Sequence, residues 1–169
     1  MHTIEPYDNW LHIYNPVEDE LSPFYGVEHS EFEYSQTVYN YYIHPLWNDF
    51  GSKTLYMKVL FVDYDLGFAI IKFIGEWNDA IENDIMQLKR EIVDVMLQEG
   101  IYKFLLITEN VINYHSDEPD YYEEWHEDLA EHGGWVVLLN TPEHLRAEMQ
   151  QSKIDHYAFF MDYEKWRTH

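Results

Sequence analysis

From Leu55 onward, apolar and polar positions fall into regular periods. LYMKVLFV (55–62) and FAIIKFIG (68–75) are β-branched and aromatic runs parted by the turn-forming DYDLG, which predicts a strand pair. Ile81, Ile85, Leu88, Ile92 and Met96 then recur at spacings of four and three, the period of one helix face. Asp79 with Glu82 forms a capping-box-like start and Gly100 follows the last turn as a stop, so the spacing predicts an amphipathic helix of roughly five turns. KFLLIT (103–108) is a nearly continuous apolar run, as in a strand covered on both faces, and the helix before it implies a parallel crossover.

The stretch YHSDEPDYYEEWHEDLAEHGG (114–134) places Pro119 where a first helical turn accepts it and Gly133-Gly134 where a helix stops. At about 100° per residue, Tyr122, Trp125 and Leu129 share one face, while Asp120, Glu123, Glu124, Glu127 and Glu131 crowd the other. The apolar face must look inward, so the acids look into water. WVVLL (135–139) reads as a buried strand, and Thr141-Pro142 as an N-cap followed by a first-turn proline. Leu145 and Met149 give the next helix a narrow apolar stripe, and HYAFFM (156–161) is a last strand. The order predicts an α/β architecture, a mixed β-sheet with helices packed on it, over residues 55–169.

Residues 1–54 follow no such period. They are rich in Tyr, Trp and Phe and hold four of the six prolines, too aromatic a composition for a disordered tail. We read them as an acidic, aromatic N-terminal extension packing on the core or on a second subunit, with FEYSQTVYNYYI (32–43) a candidate strand. Partner binding and sugar stacking are the functional readings of its Tyr and Trp side chains.

Charge narrows the partners. Thirty-two acidic residues against ten basic ones give a formal charge of −22. Direct contact with nucleic acid or an anionic membrane, whose phosphates need Lys and Arg, is excluded on this reading. The first 52 residues contain nine acids and no Lys or Arg, and ten acids separate Lys103 from Arg146. A basic protein partner, a cation, or solubility alone fits these two acidic regions. With no cysteine, disulfides, thiolate metal sites and cysteine nucleophiles are all absent. No apolar run is long enough to span a bilayer and the N-terminus lacks a signal-peptide pattern, so the expected location is cytoplasmic.

Chemistry has little to stand on. Glu123 and His126 form an E-x-x-H pair, the unit of di-iron carboxylate bundles, but no second such unit exists in the chain. They are weak metal candidates, and no metal or cofactor is expected. His126 and His132 are six apart, not the four of a helical zinc pair, and His132 suits the negative end of its helix dipole. No G-x-S-x-G, Walker A or G-x-G-x-x-G pattern occurs, and no catalytic residue is assigned.

The order FAIIKFIGEW, long helix, KFLLITENVINYHS, a helix ending EHGGWVVLL, and NTPEHLRAEMQQSKIDHYAFF resembles the STAS domain, the anti-sigma-factor-antagonist fold, over roughly residues 55–166. In that family an Asp-Ser pair opens the second helix and its Ser accepts a regulatory phosphate. The resemblance puts His115-Ser116 at that place, with His where the family has Asp, and implies Ser116 as phosphoacceptor. Asp117, Glu118, Pro119 and Asp120 follow, where the family has small residues, and their charge disfavours a phosphate.

These observations lead to the expectation of a non-enzymatic regulatory or protein-interaction module, a homo-oligomer in one version. Its surface would comprise His115, Ser116, Asp117, Asp120, Glu123, Glu124 and Glu127. Two alternatives stand beside it: an acidic mimic of nucleic acid that occupies a basic DNA-binding protein, and a small-ligand-binding protein or hydrolase using His and carboxylates.

Overall fold

The computed structural model describes residues 2–4, 10–27, 36–38, 41–43 and 47–168. Three short strands, β1 (His2–Ile4), β2 (Gln36–Val38) and β3 (Tyr41–Ile43), form a small sheet in the order β1-β3-β2. The candidate strand at 32–43 therefore holds two short strands, antiparallel to each other. Residues 32–35 and 39–40 of that stretch lie outside the described residues.

The main sheet has the order β4-β5-β6-β7-β8. β4 (Leu55–Asp63) and β5 (Phe68–Asn78) are an antiparallel hairpin, and β6 (Lys103–His115), β7 (Trp135–Leu139) and β8 (Phe159–Met161) follow in parallel. The hairpin turn is built locally. Asp63 Oδ1 accepts the amides of Asp65 and Leu66 at 3.0 Å each, and Gly67 takes the positive φ of 68° that closes it.

β5 and β6 run past their apolar cores. The expected strands ended at 75 and 108, whereas the ladder continues through Glu76–Asn113, Trp77–Tyr114 and Asn78–His115. Two register shifts in that stretch let Val111 and Tyr114 turn inward while polar neighbours stay half-buried. The extension carries the ends of both strands beyond the helix layer's centre, and the candidate site is built there.

The long helix starts later than its sequence pattern suggests. It comprises α1 (Asp84–Leu88), a π-helical turn Lys89–Val93 and α2 (Asp94–Gln98) without a break. Ile85, Leu88, Ile92 and Met96 are buried as the period requires, but Ile81 is 78% exposed and precedes the helix. Asn83, in a left-handed conformation with φ 54°, occupies the N-cap that the pattern gave to Asp79. Asp79 instead serves the helix from outside it, accepting the Ile85 amide at 2.8 Å. One orphan donor of the first turn is thus satisfied by the preceding strand's end.

α3 (Asp120–Ala130) buries Tyr122, Trp125 and Leu129, and α4 (Glu143–Gln151) buries Leu145 and Met149, the stripes the sequence marks. At the start of α4 the cap is Pro142 with extended ψ, one residue later than Thr141. Thr141 is buried and its hydroxyl meets that of Thr108 at 2.8 Å, a side-chain bond from the middle of β6 to the connection just past β7. The last strand is shorter than HYAFFM, because Ile154–His156 forms a 3-10 turn.

The sheet is covered on both faces. Ala69, Ile71, Phe73, Phe104, Leu106 and Leu138 meet the helices in the main core, which Phe24 and Phe50 of the N-terminal segment also join. On the opposite face Leu60, Ile107, Leu139 and Trp166 form a second cluster, with Trp10 edge-on to Trp166 at 5.8 Å. Lys72 is buried there, its ammonium 3.4 Å from Glu109 and 5.2 Å over the Trp166 ring. Burial lowers the Lys72 pKa, and Glu109 partly offsets it. Among the described residues no helix is long and apolar enough to cross a membrane.

Candidate functional site

The parallel strands β5 and β6 both end at the edge of the sheet from which α1 and α3 depart, the position where open α/β sheets carry their sites. The amide of Asp79 donates to the His115 carbonyl at 2.9 Å, tying the residue after β5 to the last residue of β6. A local contact upstream sets this geometry. Gly75 has φ 114°, and a Cβ there would lie 2.1 Å from the Thr54 carbonyl oxygen. Only glycine allows β5 to pass so close to the entry of β4.

Asp79 is 2% exposed, yet every donor around it is aimed at its carboxylate. Trp77 Nε1 and the Ile85 amide donate to Oδ1 at 2.9 and 2.8 Å, and the hydroxyls of Tyr122 and Tyr114 donate to Oδ2 at 2.6 and 3.2 Å. Burial pushes the Asp79 carboxyl up to about 6, against the pull of these four donors. The same burial, reinforced by the Asp79 charge, holds both phenols well above their ordinary range. Nearby Asp84 accepts the Asn78 amide at 2.7 Å through Oδ2, while its Oδ1 is buried without a hydrogen-bond partner. Burial raises it as well to about 6, the Asn78 amide pulling it down and Asp79 pushing it further up. This network joins β5, β6, α1 and α3 at one point, so that the surface above it is held rigidly.

That surface is where the sequence-marked residues lie. His115 ends β6 half-exposed, with its Nε2 against the carboxylate of largely buried Glu76. Ser116 and Asp117 are exposed in the connection to α3, and Asp120, Glu123 and Glu127 are exposed on the helix itself. The N-cap of α3 is Pro119 and makes no side-chain cap bond. Ser116 therefore sits three residues ahead of the cap, separated from the helix amides by Asp117 and Glu118.

Glu124 departs from the expected open acidic surface. It bridges Arg90 at 2.9 Å and Lys89 at 3.5 Å, and Arg90 holds its carboxyl below the usual range. Lys89, 1% exposed at the π-helical turn, also contacts Asp94 and lies 2.9 Å from Asp128. Burial alone would lower the Lys89 pKa, but the carboxylates around it outweigh burial and the net direction is up. Lys89 follows Ile85 by four residues, on the buried side of the helix, and its ammonium reaches the acids of α3 from there. Part of the α3 acidic face is thus spent on holding α3 to α1.

Among the described residues no group of three or more His, Asp or Glu side chains could hold a metal ion. Glu123 and His126 are both exposed, and His126 faces the Tyr157 ring at 5.7 Å. His132 stacks flat on Tyr102 at 3.9 Å. Three features of this region escape the sequence pattern: the Asp79–Asp84 pair, the His115–Glu76 contact and the ion pairs of Lys89 with α3. The first two have one local signal, the run EWND with its two acids placed directly after an apolar strand, which a strand covered on both faces does not need.

No family model matches the chain, and no curated protein does. Among solved structures it is similar to the anti-sigma factor antagonist SpoIIAA in its unphosphorylated form, at 17% identity and a TM-score of 0.52, over 66% of this chain and 91% of that one. The phosphorylated form of SpoIIAA, the Bacillus cell fate determinant, matches at 17% identity and 0.48, over 66% and 95% of the two chains. A protein described as an anti-sigma factor antagonist of Thermotoga maritima matches at 19% identity and 0.49, over 64% and 88%. The chain has the STAS fold, a mixed five-stranded sheet with helices packed on it.

Proposed function

We propose that this protein is a non-enzymatic regulatory module that binds another protein through the surface at the start of α3. The binding face comprises His115, Ser116 and Asp117 with the exposed acids Asp120, Glu123 and Glu127. Glu124 contributes only through its bridge to Arg90. The observation that carries the reading is the anchoring of His115-Ser116: the carbonyl of His115 is pinned by Asp79, while the side chains beyond it face solvent. A partner meets a preformed surface and pays little ordering cost there. The fold of SpoIIAA, a protein titled an anti-sigma factor antagonist, supports an interaction role, and the acidic face favours a partner with a basic patch.

Ser116 is the phosphoacceptor in this proposal. A phosphate there would add charge beside Asp117, Glu118 and Asp120 without reaching the α3 amides, so it deepens the acidic face that meets the partner's basic patch and strengthens binding rather than capping the helix. The test is binding of the purified partner by the wild type, Ser116→Ala and Ser116→Glu. Ser116→Ala should bind as the unphosphorylated wild type does and Ser116→Glu should bind more tightly. Equal binding by all three would remove Ser116 from the mechanism while leaving the surface proposal standing.

A further inference from the structure

β8 is an outer strand of the main sheet, and on its far side no strand is paired among the described residues. The other outer strand, β4, has its edge met by the Asn48–Met57 bridge. Met161 turns its carbonyl toward β7, where it accepts the Asn140 amide at 2.9 Å. Backbone groups alternate sides along a strand, so the amide and carbonyl of Phe160 point outward. On either side of them Phe159 is 68% exposed and Met161 54% exposed. Edge strands are ordinarily blunted by shortness, a charge, a proline or a bulge. Phe159-Phe160-Met161 is three residues long and has Arg146 4.9 Å over the Phe160 ring, but it carries no charge of its own, no proline and no bulge.

Charge selects what covers this edge. Residues 146–169 contain Arg146, Lys153, Lys165 and Arg167 against Glu148, Asp155, Asp162 and Glu164, four of each sign. The rest of the chain carries 28 acids and 6 bases. A basic protein is steered toward the acidic faces, whereas a second copy of a chain of charge −22 meets least repulsion at this neutral edge. We propose that β8 pairs antiparallel with β8 of a second copy about a two-fold axis at Phe160, joining the two sheets into one. In that register Phe160 faces its own counterpart, and each Phe159 lies opposite Met161 of the other copy. The contact is self-complementary, as an isologous interface must be. Val137, paired with Phe159 in the sheet, extends the apolar face inward behind it.

Sedimentation velocity of the full chain over a wide dilution series tests this. The wild type should be a dimer at high concentration and dissociate on dilution. Phe159→Lys and Met161→Lys should each raise the dimer dissociation constant by at least about tenfold. Both side chains are exposed, so circular dichroism and thermal unfolding of the dilute variants should match the monomeric wild type. Phe159→Leu should keep the dimer. A wild type that is monomeric at every concentration, or a dimer that neither lysine variant weakens, would overturn the proposal.

Discussion

The Tyr122 hydroxyl donates to Asp79 Oδ2 at 2.6 Å, so a residue in the first turn of α3 is bonded to the residue that follows β5. Tyr122→Phe keeps the buried ring and removes one of four donors to a buried carboxylate. A hydrogen bond to a charged group contributes about 1.5–3 kcal/mol. We expect urea unfolding of Tyr122→Phe to show a loss of that size, and Tyr114→Phe, whose bond is 3.2 Å, to lose less. Equal stability of Tyr122→Phe and wild type would mean that the network is not holding α3 in place.

The same carboxyl makes stability pH-dependent in an unusual direction. Asp79 and Asp84 rise from 3.8 to about 6 on folding, so between these values the folded chain binds more protons than the unfolded chain. Stability therefore increases as pH falls from about 7 toward about 5, by roughly 1.3 kcal/mol for one such carboxyl and less than twice that for the interacting pair, the full difference of roughly 3 kcal/mol per carboxyl being reached only below about pH 4. Glu124 acts oppositely, since its depressed carboxyl stabilises the fold above its unfolded value and loses that contribution only as pH falls below it. Urea midpoints measured across this range should rise toward acid in the wild type and rise less in Asp79→Asn. A midpoint that falls steadily from neutral pH would contradict the assignment.

Lys89 and Arg90 are neighbours with different roles. Lys89 is buried among Asp94, Glu124 and Asp128, whereas Arg90 is 46% exposed with two ion pairs in water. Exposed pairs contribute about 0–1 kcal/mol, whereas Lys89→Ala also removes a fully buried side-chain stem and leaves a cavity, which adds about 2 kcal/mol. Thermal unfolding should place Lys89→Ala well below Arg90→Ala. The reverse order would show that the α1–α3 contact is a surface effect.

Gly75→Ala tests the backbone that positions Glu76 and His115. The added methyl would meet the Thr54 carbonyl at 2.1 Å in a backbone region that side chains avoid, which predicts a loss of more than about 2 kcal/mol in chemical denaturation. Gly133→Ala has a positive φ but open space around it and should lose about 1 kcal/mol.

Much of the architecture was legible because burial follows periodicity. Ile85, Leu88, Ile92 and Met96 on one helix, and Tyr122, Trp125 and Leu129 on another, occupy the buried positions that their spacing predicts. The failures are at element ends. Ile81 fits the apolar period but lies outside the helix, because Asn83 adopts a left-handed conformation that no periodicity encodes. Asp79 looked like a cap by its spacing to Glu82; its actual partners include Tyr114 and Tyr122, 35 and 43 residues away, which only the parallel pairing of β5 and β6 brings near. Lys89 lies four residues after Ile85, so its burial follows the same period, but its acidic partners on α3 are nowhere encoded in that period. His115-Ser116 was singled out through the resemblance alone, and its exposure follows from β6 ending at His115.

Affinity purification of the chain from its own cell, run in parallel with an Asp120→Ala, Glu123→Ala, Glu127→Ala triple variant, tests the interaction role most directly. These three side chains are exposed, so the variant keeps its fold. The account predicts one stoichiometric protein that the wild type retains, that the triple variant loses, and that purified wild type rebinds. A wild type that purifies alone, or a partner held equally by the triple variant, would contradict it.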